Sequence, residues 1–184
     1  DTNEPNIQTD ENNDTFKDCT ELLTATIGNK VTTIGSAGFS GCSKLTTVTF
    51  TATSTLATIG ANAFQSCGEL TGITIPNSVT TINANTFNAC NKLETAIIGT
   101  GVTSIAVDAF TNAGSSAANT LQAIITSSSQ LSTLGLSYGT GKAFFGATGI
   151  KIYSQLAKTL IITNTNSGTA DEVETPNTNV QGML

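Results

Sequence analysis

Hydrophobic residues recur along this chain in one fixed order, which is repeated four times between residues 16 and 93. Each copy reads F-x-x-C-x-x-L, and the successive phenylalanines Phe16, Phe39, Phe64 and Phe87 are 23, 25 and 23 residues apart. A unit this short cannot close a hydrophobic core of its own, so each copy must bury its apolar edge against the next one. The spacing therefore predicts a solenoid whose turns stack in sequence order.

Between these motifs, each copy carries two shorter apolar patterns, L-x-x-I-x-I and V-x-x-I. The third copy shows them most clearly, at Leu70, Ile73, Ile75, Val79 and Ile82. Alternation with period two indicates a strand with one buried face, and the second pattern indicates another short extended piece. No segment has a sustained helical period. We therefore predict short parallel strands that repeat about 4.8 Å apart, with few or no helices.

The chain divides by composition into three parts. Residues 1–14 form a polar, acidic segment and residues 163–184 a polar tail, and both are too polar to pack, which predicts flexible tethers. Residues 15–162 form the repeat body, in which the pattern changes from about residue 143 to what we interpret as a C-terminal cap. The chain begins without a methionine or a signal peptide, so we expect that a targeting segment has been removed.

Composition argues against most enzyme classes. The 184 residues include 35 threonines but no histidine, arginine or tryptophan, so the usual general base and the usual bidentate anion clamp are absent. The net charge of −6 comes from the two ends, because residues 22–170 hold six lysines against three acids. Six scattered lysines do not form a phosphate-binding stripe, and no apolar run reaches the roughly 18 residues of a membrane span. We predict no enzymatic activity, no cofactor, no nucleic-acid partner and no transmembrane segment.

These columns resemble the leucine-rich repeats of the BspA type, also called the Treponema pallidum type. The segments LTGITIPNSVTTINANTFNACNKL and VTTIGSAGFSGCSKL match the family pattern, and the resemblance covers roughly residues 16–153. It implies a right-handed, β-rich leucine-rich-repeat solenoid, here of about five to six turns. It also implies a place outside the cell or on its surface, in bacteria or protists, and adhesion to host proteins in some members.

The four cysteines occupy one column of the repeat. Neighbouring thiols on parallel turns about 4.8 Å apart lack the converging geometry of a disulfide, so we predict buried free thiols. A column offers no tetrahedron for a metal, and no histidine is present to complete one. A calcium-loop template also fits five oxygen-bearing residues near the N-terminus, but Thr15 stands where that loop requires glycine. We therefore predict no metal site, and the five residues are interpreted as a solvated acidic edge: Asp10, Asn12, Asp14, Asp18 and Glu21.

The outward positions of the longer strands form the candidate binding face. One predicted row runs through Thr24, Thr47, Gly72, Thr95 and Ala123. Two residues further along each strand lies a second row, Thr26, Thr49, Thr74, Ile97 and Ile125. Threonine simply suits exposed strands, but the same rows also form an uncharged face that is hydroxylated at first and becomes apolar. Tyr138, in a nearby loop insertion, is added as an aromatic candidate.

Three functions remain open from the sequence. The first is a non-enzymatic, exported interaction or adhesion module that binds a protein, possibly of the host extracellular matrix, or a glycan. The second is an ice- or crystal-binding solenoid, since T-x-T ladders present regularly spaced hydroxyls; this is weakened where isoleucine and alanine replace threonine. The third is a structural spacer in a surface layer. Thermal hysteresis would identify the second, and binding to matrix proteins would separate the first from the third.

Overall fold

The protein is a solenoid built from two parallel ladders of short strands, as seen in a computed structural model that describes residues 15–106, 108–115, 122–125, 151–154 and 159–163. No helix occurs in these ranges. The strands are β1 Thr24–Ile27, β2 Thr33–Ile34, β3 Thr47–Phe50, β4 Thr58–Ile59, β5 Gly72–Thr74, β6 Thr81–Ile82, β7 Thr95–Ile98, β8 Ser104–Ile105, β9 Gln122–Ile125, β10 Lys151–Ser154 and β11 Thr159–Thr163.

Odd-numbered and even-numbered strands form separate sheets. The larger sheet has the order β1-β3-β5-β7-β9-β10-β11, and the smaller has the order β2-β4-β6-β8. Every pair is parallel except β10 with β11, which is antiparallel. Four turns therefore contribute a strand to each sheet, and β9 adds the first strand of a further turn. The predicted parallel β-solenoid is confirmed.

The third side of each turn is the arc that carries the phenylalanine and the cysteine. Backbone N–H groups of one arc donate to carbonyls of the next: Phe39 N–H to Ala63 O at 2.8 Å and Phe87 N–H to Ala109 O at 2.7 Å. The backbone has a positive φ two residues after Phe39 and Phe87, at Gly41 (75°) and Ala89 (58°). These left-handed residues turn the chain at the same place in each repeat, at a steric cost where the residue is not glycine.

A phenylalanine spine runs along the solenoid axis. Successive rings are stacked with centroid separations of 5.1, 5.3, 5.6 and 5.0 Å, through Phe16, Phe39, Phe64, Phe87 and Phe110. The last four rings are fully buried, whereas Phe16, in the first described turn, is half-buried. The leucine, isoleucine and valine columns pack around this spine in one continuous core. Among the described residues, the three middle rings thus stack with a ring on both faces, and Phe16 and Phe110 each stack with one ring.

Glycines mark the places where turns approach closely. A Cβ on Gly60 would lie 2.5 Å from the Ser36 amide nitrogen, and a Cβ on Gly99 would lie 2.5 Å from the carbonyl oxygens of Ile75 and Pro76. Both contacts are with rigid backbone of the preceding turn. The pitch of the stack at these corners therefore depends on the absence of a side chain.

Candidate functional site

The outward side chains of the larger sheet form two rows, which together we call the outer face. Register places Thr24 beside Thr47, Thr47 beside Gly72, and Gly72 beside Thr95. Strand residues between the rows point into the core, as the buried Val48, Ile73 and Ala96 show; the second row consists of Thr26, Thr49, Thr74 and Ile97. The structure thus brings together, on one surface, eight of the positions that the sequence placed there.

Side chains in these rows are accessible and carry no charge. Thr26, Thr49 and Thr74 are exposed, and Ile97 is half-buried. The threonines give way to isoleucine at the fourth turn, so the face becomes more apolar in the direction of β9. A neutral surface of this kind suits a partner segment that itself brings no unpaired charge, because an uncompensated buried charge is costly.

Two predicted positions, both in β9, are wrong. The sequence alignment placed Ile125 in the second row, but the ladder pairs Ile97 with Ile124 and pairs Ile125 with the buried Ile98. The predicted register took Leu121 as the first residue of the L-x-x-I-x-I pattern. The insertion between β8 and β9 is one residue shorter than that alignment requires. Because side chains alternate along a strand, this one-residue shift moves Ile125 from the outward register to the inward one, and Ala123 likewise pairs with the buried Ala96.

The aromatic candidate Tyr138 lies outside the described residues. Its place in the face therefore stays a prediction.

The threonines fall into two groups that composition alone does not distinguish. Corner hydroxyls bond to the carbonyl of the preceding turn: Thr46 Oγ1 to Leu23 O at 3.0 Å, and Thr55 Oγ1 to Asn29 O at 2.6 Å. Outer-face hydroxyls do not. Apart from a 3.5 Å contact between the Thr46 and Thr47 hydroxyls, those in the two rows have no hydrogen-bond partner in the described ranges. They are available to an external ligand.

Two further features were missed in the sequence. The smaller sheet carries its own column of hydroxyl side chains in register. In the sequence, each of these residues directly precedes the isoleucine of the shorter pattern: Thr33, Thr58, Thr81 and Ser104. A column of charged residues lies three positions before β1, β3, β5 and β7. The charges alternate in sign along the stack. In the sequence, each charged residue lies two positions after a cysteine of the repeat: Glu21, Lys44, Glu69 and Lys92.

The cysteine column is confirmed as free thiols, with one correction. Cys42, Cys67 and Cys90 are buried, but Cys19 is exposed because it belongs to the first turn. Each buried thiol donates to the carbonyl of a phenylalanine one turn earlier, as with Cys42 Sγ to Phe16 O at 3.0 Å. Burial raises the pKa of Cys42 to about 11 and that of Cys67 to about 12, and it also raises the pKa of Cys90 well above its usual value. These three thiols are therefore protonated and unreactive at neutral pH.

The acidic edge near the N-terminus has ordinary structural roles where it is described. Asp18 occupies the left-handed turn position with φ 57°, and Glu21 pairs with Lys44 at 2.8 Å. Within the described ranges no cluster of three or more histidine, cysteine, aspartate or glutamate side chains could hold a metal ion. In the same ranges, no helix has the length and apolarity needed to cross a membrane.

Phenylalanine, cysteine and leucine columns on a two-ladder parallel solenoid define a leucine-rich-repeat protein. A family model described as the BspA type leucine-rich repeat region matches residues 9–132 in six copies. The chain belongs to this family.

A solved structure shows the same fold. A T. pallidum leucine-rich-repeat protein is 23% identical, with a TM-score of 0.61; the match covers 76% of this chain and 61% of that protein. A leucine-rich cell surface protein from Faecalibacterium prausnitzii A2-165 is also 23% identical, with coverage of 84% and 46% and a TM-score of 0.39. This chain thus spans about three fifths of the T. pallidum protein. No curated protein matches this chain significantly.

Proposed function

We propose that the protein is a non-enzymatic interaction module outside the cell or on its surface, and that its outer face binds an uncharged segment of a protein partner in adhesion. The observation that carries this proposal is the pair of neutral rows whose hydroxyls have no partner within the described ranges. A stack held together by its core and corner hydrogen bonds does not need those hydroxyls. Membership of the BspA-type family supports the proposal, because leucine-rich repeats generally serve as binding modules.

A protein partner fits the face better than a glycan or a crystal surface. Neither row offers an aromatic ring on which a sugar could stack, and isoleucine enters the second row at Ile97. An ice or crystal surface would require an unbroken hydroxyl lattice, but Gly72 interrupts the first row and Ile97 the second. The neutral, partly apolar rows instead resemble the desolvated centre of a protein interface. Host extracellular-matrix proteins are the partner class to test first.

The test is binding of purified matrix proteins to the immobilised chain and to two charge-insertion variants, Thr49→Lys and Ile97→Lys. Each should weaken binding by roughly tenfold, because it places a lysine in a surface that the partner desolvates. Thr58→Lys is the matched control: Thr58 is exposed on the smaller sheet, and this variant adds the same charge away from the outer face.

Circular dichroism must show that all three variants fold. Folded variants that bind as tightly as the wild type would place the contact on another surface. Binding to glycan arrays without binding to any protein would identify the alternative partner class.

A further inference from the structure

The charged column beside the outer face has an internal symmetry. Ion pairs join Glu21 to Lys44 at 2.8 Å and Glu69 to Lys92 at 2.7 Å. No ion pair joins Lys44 to Glu69, although the two belong to adjacent turns of the described solenoid. Reading from the first turn to the fourth, the signs are minus, plus, minus, plus. Reversing that order exchanges every sign.

This antisymmetry makes the column complementary to a reversed copy of itself. A two-fold axis that runs parallel to the strands, between the second and third turns, brings two outer faces together. It places Glu21 opposite Lys92 of the second copy and Lys44 opposite Glu69 of the second copy. All four levels then carry opposite charges, as an isologous interface requires. A translation by one turn would instead place like charges together.

We propose that the outer face binds a second copy of this chain in this antiparallel, two-fold arrangement. The inference rests on the proposed function, since it names a partner for the same face. Each monomer uses its neutral rows as the centre of the contact and its charged column as the border that sets the direction.

Gly72 supports the arrangement independently. The two-fold axis that pairs the charges also places Gly72 opposite Thr47 of the second copy. No positive φ requires glycine there, and a Cβ would have only the Thr95 carbonyl within 4 Å, at 3.8 Å. Strands β1, β3 and β7 have threonine at this position. A glycine that the strand does not need weakens it and often marks the close approach of another chain. Here it leaves space for the facing Thr47 side chain.

The size of the face predicts a weak complex. About this axis four strands face their counterparts, β1, β3, β5 and β7. At about 4.8 Å spacing, with about six residues of each strand and its border at about 3.3 Å per residue, they give roughly 400 Å² per copy. The total of roughly 800 Å² lies below the usual range of specific interfaces, so we expect a transient complex with a sub-millimolar dissociation constant.

The decisive experiment uses two charge-uniform variants of the full chain in sedimentation equilibrium. Lys44→Glu with Lys92→Glu gives a column of four acids, and Glu21→Lys with Glu69→Lys gives a column of four lysines. The ion pairs that each variant breaks are exposed, so both variants should fold. Each alone should dimerise at least about tenfold more weakly than the wild type, and an equimolar mixture should form a one-to-one heterodimer. Added salt should weaken the wild-type and mixed dimers.

Gly72→Thr supplies a second measurement that does not involve charge. It restores the residue type of the other turns and should fold, but it fills the space for Thr47 and should weaken dimerisation by about tenfold. Thr58→Lys, on the smaller sheet, should dimerise like the wild type.

Two results would overturn the proposal. One is a wild-type chain that remains monomeric at about 1 mM, and the other is a mixture of folded charge variants that does not associate. Either result would leave the proposed function standing if Ile97→Lys still weakens binding to a matrix protein by roughly tenfold. If instead the chain forms the charge-specific dimer but binds no matrix protein, the proposed dimer would stand and the proposed binding of matrix proteins would be contradicted.

Discussion

Removing one ring from the phenylalanine spine tests whether the stack has a middle and an end. Phe64 is fully buried between two rings, with centroids 5.3 Å from Phe39 and 5.6 Å from Phe87. Phe64→Ala removes the side chain from both neighbours and leaves a cavity, for which losses of about 3–5 kcal/mol are typical. Each lost stacking contact accounts for about 0.5–1.5 kcal/mol beyond area burial, so we expect about 4–5 kcal/mol here.

Phe16 is the matched control for this experiment, because within the described part of the chain the same ring in the same column stacks with one ring, that of Phe39, at 5.1 Å. It is half-buried, so Phe16→Ala should lower the free energy of unfolding by only about 1–2 kcal/mol. Urea denaturation followed by circular dichroism gives both values from the shift in midpoint at constant slope. Equal losses at the two positions would refute the idea that the first turn is an open end, since they require both faces of Phe16 to be covered.

Three further outcomes follow from the buried thiols and the left-handed turns. A thiol reagent should modify Cys19 alone in the native protein at neutral pH and four cysteines after denaturation; fewer than four would indicate a disulfide. Ala89→Gly should raise the free energy of unfolding by about 0.5–1 kcal/mol by relieving a positive φ, whereas the control Ala57→Gly, without a positive φ, should lower it. Burial raises the pKa of the Cys67 thiol from 9.0 to about 12, so the contribution of the protonated thiol to the free energy of unfolding is complete below pH 9 and falls as the pH rises towards 12. Cys67→Ala should flatten this decline in alkaline denaturation curves, and an unchanged slope would contradict the prediction.

The fold was predictable because the core columns repeat almost without change. Phenylalanine, cysteine and leucine recur at spacings close to 23 residues, and a solenoid is the arrangement that buries such a unit. The predicted alternation in β3 and β7 also holds, with Val48 and Ala96 facing inward.

End effects and loop lengths were harder to predict. Cys19 shares the motif of its buried relatives, and the column argument alone did not separate the thiol of the first turn from the other three. Ile125 was misplaced because the insertion before β9 has no period of its own, and an error of one residue exchanges the two faces of a strand.

The side chains that hold the turns together are constrained in ways that the outer face is not. Thr46 and Thr55 bond the backbone of the preceding turn, and the buried cysteines bond its phenylalanine carbonyls. By contrast, the stack requires of an outward strand residue only that it tolerate an extended backbone. Gly72 meets that requirement less well than threonine would, and it has space for a larger side chain. Binding to a second chain supplies a physical reason for Gly72, since its missing side chain is useful only where another surface approaches.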